Sequence, residues 1–126
     1  MDRQLPEQPT AVLDARELMA RCMGNLEFAQ RILAKFQDRF DQDLAELEQA
    51  LLAEDGAQIQ SIAHRIKGAS ANVAAHGLRR LAGGIEELAH QRSISEIPSR
   101  LEDLRSEQFR LANSATLLGP PEAFAG

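Results

Sequence analysis

His64, Lys67 and Gly68 lie in one short stretch of the sequence and combine a nucleophile, a cation and a missing side chain. At about 100° per residue, a helix through this stretch places all three on one side, together with Gln60 and Ala71. The opposite side gathers small and apolar residues, namely Ile59, Ile62, Ala63, Ile66, Ser70 and Val73. The pattern therefore predicts that His64 points away from the protein core.

Gly68 is a poor residue for the middle of a helix, where glycine costs about 1 kcal/mol relative to alanine. A residue that lowers helix stability calls for an explanation other than local structure. The simplest explanation is that a partner surface must approach His64 closely and that a side chain at position 68 would obstruct it.

A neutral imidazole is a good nucleophile near neutral pH because its unperturbed pKa is about 6.5. One ring nitrogen can accept a phosphoryl group while the other keeps its proton and donates it to a fixed acceptor. Glu86 is the candidate acceptor, because antiparallel pairing of two helices would bring the flank that it shares with Arg79 and His90 beside His64. Lys67, one helical turn from His64, would supply positive charge where a phosphoryl group collects.

The composition of the 126-residue chain fits one domain with a helical core. Hydrophobic residues make up 44% of the chain but aromatic residues only 4%, so the core is built from Leu, Ile and Ala. A formal charge of −5 argues against a nucleic-acid partner. No run approaches the roughly 20 apolar residues of a membrane span. Cys22 is the single cysteine and no apolar leader follows Met1, so we expect a cytoplasmic protein.

Apolar periodicity and capping residues predict one short helix and four longer ones. The short helix begins with Asp14 as N-cap and ends near Cys22. The longer helices cover about residues 26–51, 57–73, 76–91 and 95–115. Short connections imply antiparallel neighbours, so we predict an all-α fold, an up-and-down antiparallel four-helix bundle with an additional short N-terminal helix. This domain would span residues 12–118, with disordered segments at 1–11 and 119–126.

Gly83 and Gly84 stand together inside the fourth helical pattern. Either a kink in that helix or a close approach of another backbone would account for the pair, and the sequence leaves both explanations open.

Two motifs occupy successive helices: Ala63-His64-x-Ile66-Lys67-Gly68-x-Ser70, with Val73 three residues later, and Leu78-x-x-Leu81-Ala82-x-x-Ile85-Glu86-x-x-Ala89. In these residues the chain resembles the histidine-containing phosphotransfer (HPt) family, and helix order extends the resemblance from about Val12 to Leu117. Members of that family often have glycine at the place held here by Ala74. The departure concerns the end of the third helix and not His64.

The resemblance implies a phosphorelay carrier that is not an independent enzyme. His64 would take a phosphoryl group from the aspartate of one receiver domain and pass it to another, with Lys67 stabilising the phosphoryl group and Glu86 orienting the imidazole. The partners would be receiver domains of response regulators and hybrid histidine kinases. The receiver would bring the divalent metal, so we expect no cofactor on this chain. We also expect the protein to be a monomer. The expected docking residues are Gln60, Gly68, Ala71 and Arg79.

Two other hypotheses compete with this one. A bundle that docks receiver domains or kinases without being phosphorylated would be an adaptor. Glu87-x-x-His90 has the spacing that ligates di-iron in helical bundles, but a di-metal centre needs a second copy and the sequence has one, so we expect no such centre. We expect His76 to start a helix and His90 to lie on the surface. Met1 and the proline-containing ends favour a stand-alone carrier over a module of a larger kinase.

Overall fold

The computed structural model describes residues 13–114 as five α-helices and one short 3₁₀ turn. The 3₁₀ turn (Ile94–Glu96) precedes the last helix, and the helices in chain order are α1 (Ala15–Arg21), α2 (Leu26–Leu52), α3 (Gly56–Asn72), α4 (His76–His90) and α5 (Ile97–Ser114). These residues contain no β-strand, which confirms the all-α prediction. None of their helices is long and apolar enough to cross a membrane. The predicted disordered segments 1–11 and 119–126 lie outside the described residues.

Polar residues determine where the first three helices begin. A side-chain oxygen of Asp14, Asn25 and Asp55 accepts the backbone N–H of the residue three positions later. Each such bond satisfies a helical N–H that has no partner within its own helix. The start of α5 differs from the prediction, because a 3₁₀ turn stands where its first turn was expected and the α-helix begins at Ile97.

The apolar stripes of the helices face one common core. The buried stripe predicted for α3 is confirmed in full, including the small polar Ser70. In α2, the rings of Phe36 and Phe40 stack with their centroids 5.7 Å apart. The largest fully buried side chains of the other helices are Leu18 on α1, Leu78 and Ile85 on α4, and Ile97, Leu104 and Leu111 on α5.

Packing places α3 and α4 against each other over the most extensive contact in the described chain. Helix α2 contacts α3, α4 contacts α5, and α5 contacts α2 in turn. Helix α1 is tied to the connection between α3 and α4, because the backbone N–H of Asp14 donates to the carbonyl of Ala74 at 3.0 Å. The pair of α3 and α4 carries the motif residues and is therefore the part of the fold that positions the candidate site.

Helices α1 to α4 are each followed by a residue in the left-handed backbone conformation. The φ angles are +57° at Met23, +53° at Glu54, +62° at Ala74 and +63° at Arg92. This conformation costs a residue other than glycine roughly 1–2 kcal/mol. The end of α3 has the hydrogen bond that usually accompanies a glycine in this conformation, because the N–H of Ala75 donates to the carbonyl of Ser70 at 2.9 Å. Ala74 thus keeps the geometry of the helix end at an energetic cost.

Replacing Glu54 by glycine should raise the free energy of unfolding by about 1 kcal/mol, because its exposed side chain gives no compensating burial. Ala74→Gly should change stability much less, since Ala74 is fully buried and loss of its methyl group costs about 0.8 kcal/mol. Urea denaturation of the two variants measures both values. A larger gain from Ala74→Gly than from Glu54→Gly would contradict this account.

Candidate functional site

His64 projects from the middle of α3 with 68% of its side chain exposed. Its Nδ1 atom lies 2.8 Å from Oε2 of Glu86 on α4. An ionised carboxylate can only accept a hydrogen bond, so Nδ1 carries the proton and donates it. The other ring nitrogen, Nε2, then holds the lone pair. The contact therefore fixes one tautomer of the imidazole and leaves its nucleophilic nitrogen on the side away from Glu86.

Lys67 shares the same carboxylate. Its Nζ atom lies 2.7 Å from Oε1 of Glu86, whose side chain is 20% exposed. The hydrogen bond from Lys67 and then that from His64 lower the pKa of Glu86, whereas partial burial acts in the opposite direction. Glu86 is therefore ionised at neutral pH, and the two oxygens of one carboxylate hold two α3 side chains that lie one helical turn apart.

The aliphatic part of Lys67 passes over α4 at Gly83. A methyl group on Gly83 would lie 3.4 Å from Cδ of Lys67, whereas the corresponding position at Gly84 has no atom within 4 Å. Helix α4 continues through both glycines. No backbone of another described element approaches either glycine within 4 Å of its Cβ position, and the neighbour at Gly83 is a side chain of another helix. Helical periodicity gives no signal for such a contact.

Arg65 follows His64 in the sequence and holds α3 against α2. Its Nη2 and Nε atoms lie 2.7 and 3.1 Å from Oδ1 of Asp43, and Nη2 also lies 2.8 Å from Oε1 of Glu46. Asp43 is only 1% exposed, and a buried carboxylate needs such partners. These bonds raise the pKa of Arg65, with the hydrogen bond to Asp43 as the largest cause. We did not predict this pair from the sequence, although Asp43 lies three residues after Phe40 on the apolar stripe of α2.

The predicted docking residues lie on the face of α3 and α4 around His64. Gly68 is exposed, and no atom lies within 4 Å of the position that a Cβ would take there. Bare backbone therefore lies one helical turn from the imidazole. The other three, which are Gln60, Ala71 and Arg79, are partly exposed.

Arg21 of α1 reaches the end of α3, a contact that no sequence pattern predicts. Its Nη1 atom donates to the carbonyl of Ala71 at 2.9 Å and to that of Asn72 at 3.3 Å. A short helix that is distant in sequence thus adds a cation at the end of α3.

The two remaining histidines mark the ends of α4, as the sequence predicted. His76 begins the helix with its Nε2 atom 2.7 Å from Oε1 of Glu17, and His90 ends it on the surface. Glu87 of the di-iron spacing accepts a hydrogen bond from Gln91 at 2.9 Å. Within residues 13–114, Glu87 and His90 belong to no group of three metal-ligating side chains.

Fold and site together define a helical domain that presents one oriented histidine on an open face. Comparison with protein-family models matches residues 31–116 to the Hpt domain. The match covers more than half of the sequence and includes His64, Lys67 and Gly68. This chain belongs to the Hpt domain family.

Among solved structures, the chain is similar to the crystal structure of histidine-containing phosphotransfer protein B from Pseudomonas aeruginosa PAO1. The TM-score is 0.79 at 24% sequence identity, and the alignment covers 84% of this chain and 92% of that chain. At this identity the likeness shows the fold alone. Comparison with curated protein sequences gives no match.

Replacing Glu86 by glutamine should lower the free energy of unfolding by about 1 kcal/mol at neutral pH, because it removes the charged acceptor that Lys67 and His64 share. Since the fold lowers the pKa of Glu86, the ionised carboxylate stabilises the fold above its ordinary pKa of 4.5. That contribution is lost as the pH falls through the lowered value. The difference between wild type and Glu86→Gln in urea denaturation should therefore shrink below pH 4.5.

The exposed neighbour Glu87 provides the control for this measurement. Glu87→Gln should change stability less, because its carboxylate contacts only the exposed Gln91 side chain. A destabilisation by Glu86→Gln that stays constant with pH would show that charge is not the cause.

Proposed function

We propose that this protein carries phosphoryl groups on Nε2 of His64 between receiver domains. One observation carries the proposal: Nδ1–H of an exposed imidazole is held by Glu86, which leaves Nε2 as an oriented and accessible nucleophile. Membership in the Hpt domain family supports it. The role is that of a phosphocarrier and not of an independent catalyst.

The transfer is an in-line displacement at phosphorus. The lone pair of Nε2 attacks the aspartyl phosphate of a receiver domain, the N–P bond forms as the acyl phosphate P–O bond breaks, and the aspartate carboxylate leaves. The ring becomes a phosphoimidazolium that keeps its proton on Nδ1, bonded to Glu86. The aspartate of a second receiver then takes the phosphoryl group by the reverse step. The receiver brings the divalent metal, and this chain supplies position and charge.

Glu86 has two opposing effects on this reaction, and the positive charge of Lys67 reduces the unfavourable one. The carboxylate stabilises the positive charge that develops on the imidazole, but the same charge repels the incoming phosphoryl group. A phosphoryl group on Nε2 lies across the ring from the carboxylate, and two unit charges about 7 Å apart interact by about 2 kcal/mol at the effective dielectric constant near a protein surface. Because Nζ of Lys67 lies 2.7 Å from Oε1, its charge compensates that of the carboxylate.

The domain that presents His64 is, in this proposal, an up-and-down antiparallel four-helix bundle of α2 to α5 over residues 12–118, with α1 across one end. The closed cycle of contacts from α2 through α5 supports this arrangement. The receiver docks on the face that carries Gln60, Gly68, Ala71 and Arg79. Arg79 gives that face positive charge, which is complementary to an acidic receiver pocket.

Mixing the purified protein with a phosphorylated receiver domain should yield a phosphoprotein whose label is acid-labile and alkali-stable. His64→Gln should give no label, because an amide nitrogen is not a nucleophile. His90→Gln replaces an exposed histidine of α4 and should be labelled like the wild type. Radiolabel retained on the gel measures all three.

A His64→Gln variant that is still labelled would overturn the assignment. A wild-type protein that binds receivers but takes no label from any of a broad panel would instead be the non-phosphorylated adaptor.

Gly68→Gln should slow phosphoryl transfer from the receiver at least about ten-fold, because the new side chain occupies the bare surface beside His64 and weakens docking by about 1.4 kcal/mol or more. Its helix should not suffer, since the position has open space and glutamine is the better helix former. Single-turnover transfer rates measure the effect.

Gly84→Gln is the matched control, because Gly84 is also helical with open space around its Cβ position. It lies about 160° around α4 from Glu86 and should transfer at the wild-type rate. Equal rates for Gly68→Gln and the wild type would place the docking surface elsewhere.

A further inference from the structure

A second group of ligand-type side chains joins α1 to the start of α4. Asp14, Glu17 and His76 each offer one atom, and these atoms lie within 4.8 Å of one another. No other group of this kind occurs in the part of the chain that the structure describes. The group of Asp14, Glu17 and His76 lies beyond the end of α3 and takes no part in the proposed phosphoryl transfer.

The three side chains are held in place by bonds that leave a ligand atom on each. Oδ1 of Asp14 accepts the N–H of Glu17 at 3.0 Å, which leaves Oδ2. Oε2 of Glu17 binds Arg21 at 2.5 Å, which leaves Oε1 facing Nε2 of His76 at 2.7 Å. Contacts of this kind orient ligands before a metal arrives, as outer-shell hydrogen bonds do in known metal sites.

We propose that Asp14, Glu17 and His76 bind one divalent transition-metal ion through a ring nitrogen and two carboxylate oxygens. This donor set suits Zn²⁺, which takes histidine nitrogen and carboxylate oxygen together, and water completes the coordination because the group is partly exposed. The ion takes the place of the hydrogen between Nε2 of His76 and Oε1 of Glu17. The neutral imidazole then carries its proton on Nδ1.

The ion has a structural consequence because it joins two helices. The seven residues of α1 are too few for a helix that is stable alone. A metal bond to the first residue of α4 adds to the existing bond between Asp14 and Ala74, so α1 is held more firmly on the α3–α4 connection. Metal binding therefore stabilises the folded chain without contact to His64.

The test uses the full chain, freed of metal with a chelator and titrated with Zn²⁺. Calorimetry should show one ion per chain, and the unfolding temperature should rise with Zn²⁺ concentration. At a hundred times the dissociation constant the folding equilibrium should shift about a hundred-fold. Nitrogen NMR of the histidine rings should show that Nε2 of His76 shifts and saturates at one equivalent.

Two variants and a control identify the ligands. Asp14→Asn keeps the N-cap, since asparagine caps as well as aspartate, but should bind Zn²⁺ about ten-fold more weakly because ligand charge sets affinity. His76→Gln should lose the one-to-one binding. His90→Gln removes the histidine at the other end of α4 and should bind like the wild type.

The metal-dependent rise in unfolding temperature is compared within each variant, so a change in stability without metal does not affect the result. If His76→Gln does not fold, Asp14→Asn still decides. Absence of one-to-one binding by the wild type at millimolar Zn²⁺ would overturn the proposal, and so would unchanged affinity in Asp14→Asn or a His76 resonance that does not move.

Discussion

The carboxylate of Glu86, shared between His64 and Lys67, is the contact on which the site depends. Glu86 is on α4 and both partners are on α3, so the contact exists in only one register of the two helices. A shift of one residue along α4 would turn Glu86 by about 100° and separate it from both. The buried stripes of α3 and α4, which meet over the most extensive contact in the described chain, set that register. Core packing therefore determines the tautomer of an exposed histidine.

Helical periodicity and one antiparallel pairing are enough to predict that His64 faces outward and that Glu86 lies beside it, and the buried stripe of α3 follows from the same periodicity. The choice of partner for Lys67 is beyond such reasoning, because a long side chain takes the rotamer that its neighbours across α4 allow. The contact between Lys67 and Gly83 cannot be predicted for the same reason. Asp43 did leave a signal, since it interrupts an apolar stripe, but its partner Arg65 can be identified only once α2 and α3 are packed.

Two features of the chain lower its stability, and they differ in what they serve. Gly68 weakens α3 but leaves bare backbone beside the imidazole, which is useful only if a second protein comes close. The left-handed residues after the helices carry a backbone cost with no such benefit. At Ala74 the cost is partly offset by a buried methyl group. The cost at Gly68 is therefore explained by the proposed docking of a partner, whereas the cost at the exposed Glu54 has no such explanation and can be removed by substitution.

The ion pair of Arg65 and Asp43 connects the helix that carries His64 to α2. Consecutive residues of a helix point about 100° apart, so whatever fixes the direction of Arg65 also fixes that of His64. Asp43 provides this fixed point from the side of α3 that faces α2, and it is buried and charge-paired. Without Arg65, the buried carboxylate of Asp43 would keep, among the described residues, only the longer contact to Arg39, at 3.3 Å. Helix α2 therefore helps to set the direction of α3, and with it that of His64, through a buried ion pair that does not involve the imidazole.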